Sequence, residues 1–376
     1  MPTAKYAEYA SLLETRIRRG DYAILDLPTE NELAEETGSS RTTARRVLLS
    51  LVDKGLVARK RHGRLEINKE HLRQQPKLSL ACLAPAFGSG GFGSWRLVVE
   101  KMAKKVGASI CLADYVHWDD PVILQALATF DGVFVVPSSE AVPHHVLKRF
   151  SQSKRLVILD GDLTEWGVPS VHMLPPIFID RLVDHLYKLG HRHIDCLNTQ
   201  PHDRVVTKRI ERWRFWQQMH QVEGRLIDNP VEPYVHPTPQ AYSTMKRLLE
   251  AGEFGATALL CITAAAATGA MRALHEQGLQ IGKDVSVCAV EGEFMAQYRI
   301  PSHTVLETPD PAPYVKVCME WLAKETPWEG PLLIEPSSLS LFIGESTGPV
   351  PRISVAKPKM EPPQAKPADE SFHSSV

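Results

Sequence analysis

SSRTTARRVLLSLVDKGLVARKRHGRLEI, residues 39–67, holds eight cations between Arg41 and Arg64: Arg41, Arg45, Arg46, Lys54, Arg59, Lys60, Arg61 and Arg64. One acid, Asp53, stands among them. The chain of 376 residues has a formal net charge of −1, so this positive charge is localised. The cations are threaded first through a helical apolar pattern, then through a two-strand pattern. That combination suits a module lying against a phosphate backbone.

Outward from this stretch, local signals fix a set of short elements. Tyr6, Tyr9, Leu12, Leu13 and Ile17 fall on one helical face, predicting a helix over 5–19 that Gly20 stops. Thr29-Glu30-Asn31-Glu32 reads as a capping box, opening a short helix that runs to about Glu36. Gly38 and Ser39 make a turn, and Ser40 is the N-cap of a second helix with apolar positions Ala44, Val47, Leu48 and Leu51. Gly55 ends it. Residues 56–60 and 64–68 then alternate as two strands around Arg61-His62-Gly63. Helix, helix, turn, helix and hairpin make a winged helix-turn-helix over residues 1–68.

Residues 69–77, KEHLRQQPK, are polar and read as a linker. From 78 to 348 the pattern changes to apolar strand runs alternating with helices: LSLACLAP, ASICLADY, GVFVVPSS, RLVILDGD, HIDCLNTQ and ATALLCIT are such runs. This predicts an α/β domain with parallel sheets covered by helices on both faces. About 270 residues of this alternation is large for one sheet and suits two lobes. From 349 to 376 the chain is proline- and lysine-rich and is expected to be a disordered tail.

Composition narrows the function classes. Hydrophobic residues are 43% and charged residues 23%, as in ordinary globular proteins. No apolar run is long enough to span a bilayer, and the amphipathic N-terminus lacks the apolar run of a signal peptide, so a cytoplasmic protein is expected. The six cysteines form no CxxC pair and read as reduced, buried small hydrophobes. His144–His145 and His191–His193 lack ligand spacing and read as solvated loop histidines, so no metal and no cofactor are expected. Gly88-Ser89-Gly90-Gly91 follows a strand but lacks the Gly-Lys-Ser/Thr ending of a phosphate loop. No GxSxG and no Walker loop occurs, so an enzyme is not expected.

The run from Leu27 to Lys60, LPTENELAEETGSSRTTARRVLLSLVDKGLVARK, resembles the DNA-binding module of the GntR family of bacterial repressors. It departs from the family at Asn31, which stands where an arginine that contacts DNA is usual. The loop from Gly20 to Pro28 lacks the usual Pro-Gly, and the wing reads RHGR where two spaced glycines are common. HLYKLGHRHIDCL (185–197), ALLCITAAAATGAMRALHEQGLQIGKDVSVCAVEGE (258–293) and the segment Ile300–Val305 resemble the effector domain of the LacI family. That domain is itself like periplasmic sugar-binding proteins. The fusion resembles the AraR-type architecture of arabinose repressors. The resemblance implies a hinged two-lobe fold, a small sugar-like effector in the cleft, a homodimer and a double-stranded DNA operator as partner.

The recognition helix needs short polar and guanidinium side chains at its N-terminal end, where it enters the major groove. Ser40, Arg41, Thr42, Thr43 and Arg45 meet that need, and Arg61, His62, Gly63 and Arg64 are the expected wing. In the effector domain the resemblance aligns Arg209 with a ligand-binding arginine and Glu291 with the aspartate of a GFDD-like turn. It puts Asp160 near another cleft position. The family's Asn-Asp is replaced by Thr263-Ala264, so Thr263 is the candidate left on that wall and the AAAA run 264–267 strips it of hydrogen-bonding groups. Trp95, Arg96, Tyr115 and Trp118 lie near strand ends and are candidate stacking or polar contacts, the alternative being loop anchors. Two other functions stay open: a DNA-binding regulator whose second domain is a ligand-independent dimerisation platform, and a small-molecule binding protein without a regulatory role.

Overall fold

The computed structural model describes residues 2–19, 21–23, 27–60, 64–68, 78–87, 90–292, 295–324 and 327–350. The expected wing tip Arg61-His62-Gly63, the expected linker 69–77, Gly88-Ser89 and the tail from 351 onward lie outside the described residues.

Three helices and a hairpin form the N-terminal module: α1 (Pro2–Arg19), α2 (Glu30–Thr37), α3 (Arg41–Asp53), β1 (Val57–Arg59) and β2 (Leu65–Ile67). Thr29 and Glu32 close the capping box, the Thr29 N–H donating to the Glu32 carboxylate at 2.7 Å. Gly38 ends α2 at φ +58°, a left-handed conformation that favours glycine. Ser40 caps α3, its Oγ accepting from the Thr43 N–H at 3.2 Å. Leu13, Ile17, Leu33, Val47, Leu48, Leu51 and Leu56 pack into one small core, the apolar stripe that the sequence spacing predicts. The hairpin is antiparallel, with Ala58 opposite Glu66.

The first lobe contains β3 (Ser79–Pro85), α4 (Gly90–Val106), β4 (Ser109–Tyr115), α5 (Pro121–Thr129), β5 (Gly132–Val135), α6 (His144–Gln152), β6 (Leu156–Leu159) and β7 (Ser170–Val171). The second contains α7 (Ile179–Lys188), β8 (Ile194–Asn198), α8 (Arg204–His220), β9 (Leu226–Asp228), α9 (Pro237–Glu250), β10 (Ala258–Cys261), α10 (Ala264–Glu276), β11 (Ser286–Ala289) and β12 (Thr304–Leu306). The chain then returns to the first lobe as α11 (Ala312–Ala323) and β13 (Leu333–Ile334), and ends in the second as β14 (Leu341–Phe342). Three segments therefore cross between lobes, after β7, β12 and β13.

The sheets run β13-β7-β6-β5-β3-β4 and β14-β12-β11-β10-β8-β9. All strand pairs in them are parallel except β12 with β14. Alternation along β3 sends Leu80, Cys82 and Ala84 toward α4 and α11, and Ala81 and Leu83 toward α5 and α6. In β10, Ala258 and Leu260 face α7 and α8, while Leu259 and Cys261 face α9 and α10. Burial on both faces explains why these strands read as continuous apolar runs.

The alanine run at the start of α10 has a packing reason. Ala264, Ala266, Ala267 and Ala270 are buried, and a Cβ on Gly269 would come within 2.3 Å of the Thr238 carbonyl. Small side chains let α9 and α10 approach closely.

Two sequence expectations need correction here. His191 is not a solvated loop histidine. It is fully buried, its Nδ1 at 2.9 Å from Thr257 Oγ1 and its Nε2 at 3.0 Å from Ser286 Oγ and 3.1 Å from the Gly348 carbonyl. The first residues expected to belong to the tail are also placed, since the Val350 N–H donates to the Leu189 carbonyl at 3.0 Å. The six cysteines are all buried and unbridged, as expected.

Candidate functional site

The basic helix presents its N-terminal turn outward. The Arg41 and Arg45 side chains are 71% and 63% exposed, Thr42 is exposed, and Thr43 is half-buried beside its cap. Both arginines lean on one carboxylate: Arg41 Nε lies 3.3 Å from Glu30 Oε2, and Arg45 Nε lies 3.8 Å from Glu30 Oε1. Other cations of the stretch are drawn into packing. The Arg46 guanidinium sits over the Tyr6 ring at 5.4 Å, and Lys54 pairs with Glu14 at 2.5 Å. On the hairpin, Lys60 pairs with Glu66 at 2.5 Å and Arg64 is exposed at the edge of the wing.

Glu30 was not among the sequence candidates; its only signal was a position one turn from the basic run once α2 and α3 are packed together. An exposed ion pair of this kind is worth about 1 kcal/mol or less. Glu30→Gln is therefore expected to raise affinity for random-sequence duplex DNA by roughly three- to tenfold at low salt. Fluorescence anisotropy against the parent protein checks this, and equal affinities would show that Glu30 does not compete with phosphate.

The second site is a cleft of about 500 Å³ between the lobes. Its walls are the segments that follow β3, β5 and β6 in one lobe and β8, β10 and β11 in the other. Ligands of open parallel sheets bind at such carboxyl ends of strands. Five of the eight sequence candidates line it, Trp95, Asp160, Arg209, Thr263 and Glu291, while Arg96 pairs with Asp114 instead. Trp118 does not line it. It is 2% exposed, packed against Tyr115 and Phe150, and its indole N–H donates to the Glu140 carbonyl at 2.9 Å. Tyr115 is equally buried. The loop-anchor alternative holds for both, because tertiary packing turns the rings inward.

Asp160 follows β6 with φ +60°, a left-handed conformation that aspartate tolerates better than most residues. Its carboxylate meets solvent through the cleft but is enclosed elsewhere by protein. That enclosure pushes its pKa above the usual carboxylate range, against the pull of the Arg209 guanidinium and the Trp95 N–H. Arg209, on α8, is 7% exposed; one guanidinium nitrogen donates to the Ile262 carbonyl at 3.3 Å, and the buried Nε has no partner among the described residues. Thr263 is the N-cap of α10, its Oγ1 accepting from the Ala266 N–H at 3.2 Å. Glu291, half-buried, completes the floor on the second lobe.

Contacts across the cleft mouth, invisible in the sequence, join the lobes. Lys208 Nζ lies 2.8 Å from Asp162 Oδ2, and Arg204 lies 2.6 Å from Glu165 and 3.5 Å from Asp162. Burial pushes the Asp162 carboxyl up, but hydrogen bonds from Lys208 and Thr164 outweigh it and bring it down to about 2. On the other side, Tyr234 of the second lobe donates to Glu140 of the first at 2.8 Å.

Among the described residues, no group of three His, Cys, Asp or Glu is placed to hold a metal ion, and no helix is long and apolar enough to cross a membrane.

Residues 5–67 match the model of bacterial regulatory proteins of the gntR family, and residues 183–335 that of the periplasmic binding protein-like domain. No curated protein matches in sequence. Among solved structures, the transcription regulator CcpA of Lactococcus lactis superposes with a TM-score of 0.60 at 18% identity, over 72% of this chain and 99% of that one. A lac repressor dimer bound to operator and the anti-inducer ONPF gives 0.60 at 19%, over 74% and 97%. A LacI-family regulator from Mycobacterium smegmatis gives 0.59 at 18%, over 72% and 99%. At these identities the likeness is one of fold. The chain is a DNA-binding regulator that joins a winged helix-turn-helix domain of the gntR family to a two-lobe domain of the periplasmic binding protein type.

Proposed function

We propose that the chain is a cytoplasmic transcriptional repressor that reads a double-stranded DNA operator as a homodimer and is switched by a small, sugar-sized molecule in the interlobe cleft. In this reading Ser40, Arg41, Thr42, Thr43 and Arg45 enter the major groove, the arginines at base edges or phosphate and the hydroxyls at phosphate. Arg61, His62, Gly63 and Arg64 run beside the minor groove. Residues 1–68 form the reader, 78–348 the sensor.

Arg209 carries the ligand half of the proposal. Its guanidinium lines the cleft and holds the Ile262 carbonyl only through a long 3.3 Å hydrogen bond, so it offers N–H groups to an oxygen acceptor on a ligand. The three crossings act as the hinge between lobe arrangements, and a ligand biases them only through unequal affinity for the two. The homodimer is supported by exposed apolar side chains on the second lobe: Met295, Tyr298, Ile300 and Ile343 are 51%, 70%, 99% and 61% exposed. A ligand-independent platform is favoured by one observation, the ion pairs and the Tyr234 contact that hold the lobes together using the chain's own side chains.

Selection of bound duplexes from a random library is expected to enrich an inverted repeat; a library that returns no motif sinks the DNA half. A metabolite panel in thermal shift, followed by titration, addresses the cleft. Arg209→Ala is expected to weaken any hit by about 10- to 100-fold, the loss of a hydrogen bond to a charged group. Hits indifferent to that substitution would place the ligand elsewhere.

A further inference from the structure

We infer that the first lobe is a second DNA-binding surface. The end of it that receives the chain from the reader lies on the phosphates of duplex flanking the operator, without reading sequence; this rests on DNA binding by the N-terminal module. In an alternating α/β lobe each helix runs back along the sheet, so its carboxyl end meets the amino end of the next strand. Helix α4 leads into β4 in this way, and α6 into β6. Five exposed cations collect there: Lys104 and Lys105 in the last turn of α4, Lys148 and Arg149 near the end of α6, and Lys154 before β6. Strands β4 and β6 are three spacings apart in the sheet, about 14 Å, so both groups border one face of the lobe. The chain enters the lobe at that same face, at the start of β3, and the nine residues between Asn68 and Leu78 span at most about 35 Å. Helix α1 of the reader also lies against β4, the edge strand that follows Lys104 and Lys105.

None of the five cations has an ion-pair partner among the described residues. The acids placed around them are Glu100, Asp131, Glu320 and Glu329. Asp131 accepts from the Ser79 N–H at 2.8 Å and its hydroxyl at 2.7 Å, and Glu320 pairs with Lys316 at 3.5 Å. A helix dipole favours a cation in the last turn, which suits Lys105 and Arg149. It does not account for Lys154, which is outside any helix, nor for the contrast with the second lobe. At the matching end there the cations have acidic partners: Lys246 with Glu250 at 3.9 Å, Arg272 with Glu276 at 2.7 Å and Arg225 with Asp195 at 3.5 Å. In the first lobe the acids gather at the opposite, cleft end instead, as Asp119, Asp120, Glu140 and Asp160 after β4, β5 and β6. A lobe polarised in this way turns its basic end toward a polyanion, and the reader supplies one at close range.

Two labelled duplexes test this with the full-length protein, one ending at the selected operator and one extended by about 20 base pairs of random sequence on each side. Random-sequence duplexes of the same two lengths serve if no operator emerges. In anisotropy titrations the parent is expected to bind the longer duplex roughly fivefold or more tightly than the shorter. Its salt dependence on the longer duplex should be steeper, since each phosphate contact adds about 0.9 to the slope of log K against log salt. The triple variant Lys104→Gln, Lys105→Gln and Lys154→Gln should lose most of that advantage and about 2 units of that slope, yet bind the shorter duplex within about twofold of the parent. Arginine at the same three positions should preserve both, because charge alone is required. Equal urea midpoints confirm that the variants fold. A parent without the length advantage overturns the inference, as does a glutamine variant that keeps all of it. A protein that retains neither duplex loses the reader's DNA binding as well, which tells that failure apart.

Discussion

Arg41→Ala is expected to lower affinity for the selected operator by about 1–3 kcal/mol, roughly 5- to 150-fold, and Arg41→Ala with Arg45→Ala to bring it to the level of random DNA. The size follows from geometry. Ser40 fixes where α3 starts, so both arginines leave the first turns of the helix on its exposed side. A guanidinium there can fork onto a guanine edge, and truncation removes both hydrogen bonds at once. Folding should be nearly unaffected, because an exposed side chain with one weak ion pair contributes within about 0.5 kcal/mol. Lys54→Ala is the matched control: it removes a cation of the same stretch that pairs with Glu14 instead. Anisotropy titrations at one fixed salt concentration, on operator and scrambled duplex, read the ratio. An unchanged ratio for Arg41→Ala would remove it from the reading surface.

Much of the reader was legible in the sequence because its determinants are local. Thr29 with Glu32, Ser40 with Thr43, and the spacing of Val47, Leu48 and Leu51 are contacts within one or two turns. The hairpin followed from alternation and a glycine. The strands of the two lobes were legible for another reason: burial on both faces leaves long apolar runs. What the sequence hid was non-local. Strands β7, β13 and β14 are two residues each and carry no periodic signal. Helix α11 lies after β12 in the chain yet packs on α4, more than 200 residues earlier, and only the topology puts it there. The cleft candidates divide the same way. Arg209, Asp160 and Glu291 came from aligned motifs, and the fold brings all three to one space. Trp118 was chosen for its nearness to a strand end, but a tryptophan's side is decided by packing partners such as Phe150, which sequence spacing does not reveal. Tyr234, Glu140, Asp162 and Lys208 were missed because each acts across the cleft from a partner 46 or more residues away.

Lowering the pH from about 7 to about 5 is expected to destabilise the two-lobe domain by as much as about 4 kcal/mol, chiefly through His172 and His303. Both are buried, at 4% and 5% exposure. Burial, aided by the Arg209 guanidinium, brings the His172 pKa down from 6.5 to about 3; burial, with Arg299 nearby, brings His303 from 6.5 to about 4. The sign follows from which state takes the proton. In the unfolded chain each imidazole protonates near 6.5, while in the fold it stays neutral to about 3 or 4. Stability is therefore complete above 6.5 and falls as pH drops below it, by about 1.4 kcal/mol per pH unit for each residue, until the folded-state value is reached. Burial depresses His191 and His185 as well, in the same direction. Three carboxyls work oppositely. Asp160, Asp203 and Glu335 are raised by burial, so acid relieves part of their cost and trims the total. The pair of Asp162 with Lys208 should persist across this range, since Asp162 stays ionised down to about 2. Urea unfolding of the two-lobe domain within the full chain, at three pH values, measures the slope. His172→Asn should flatten it by about 1.4 kcal/mol per unit below pH 6.5, whatever it costs at neutral pH. A slope that survives in His172→Asn and His303→Asn alike would mean that acid acts through other groups.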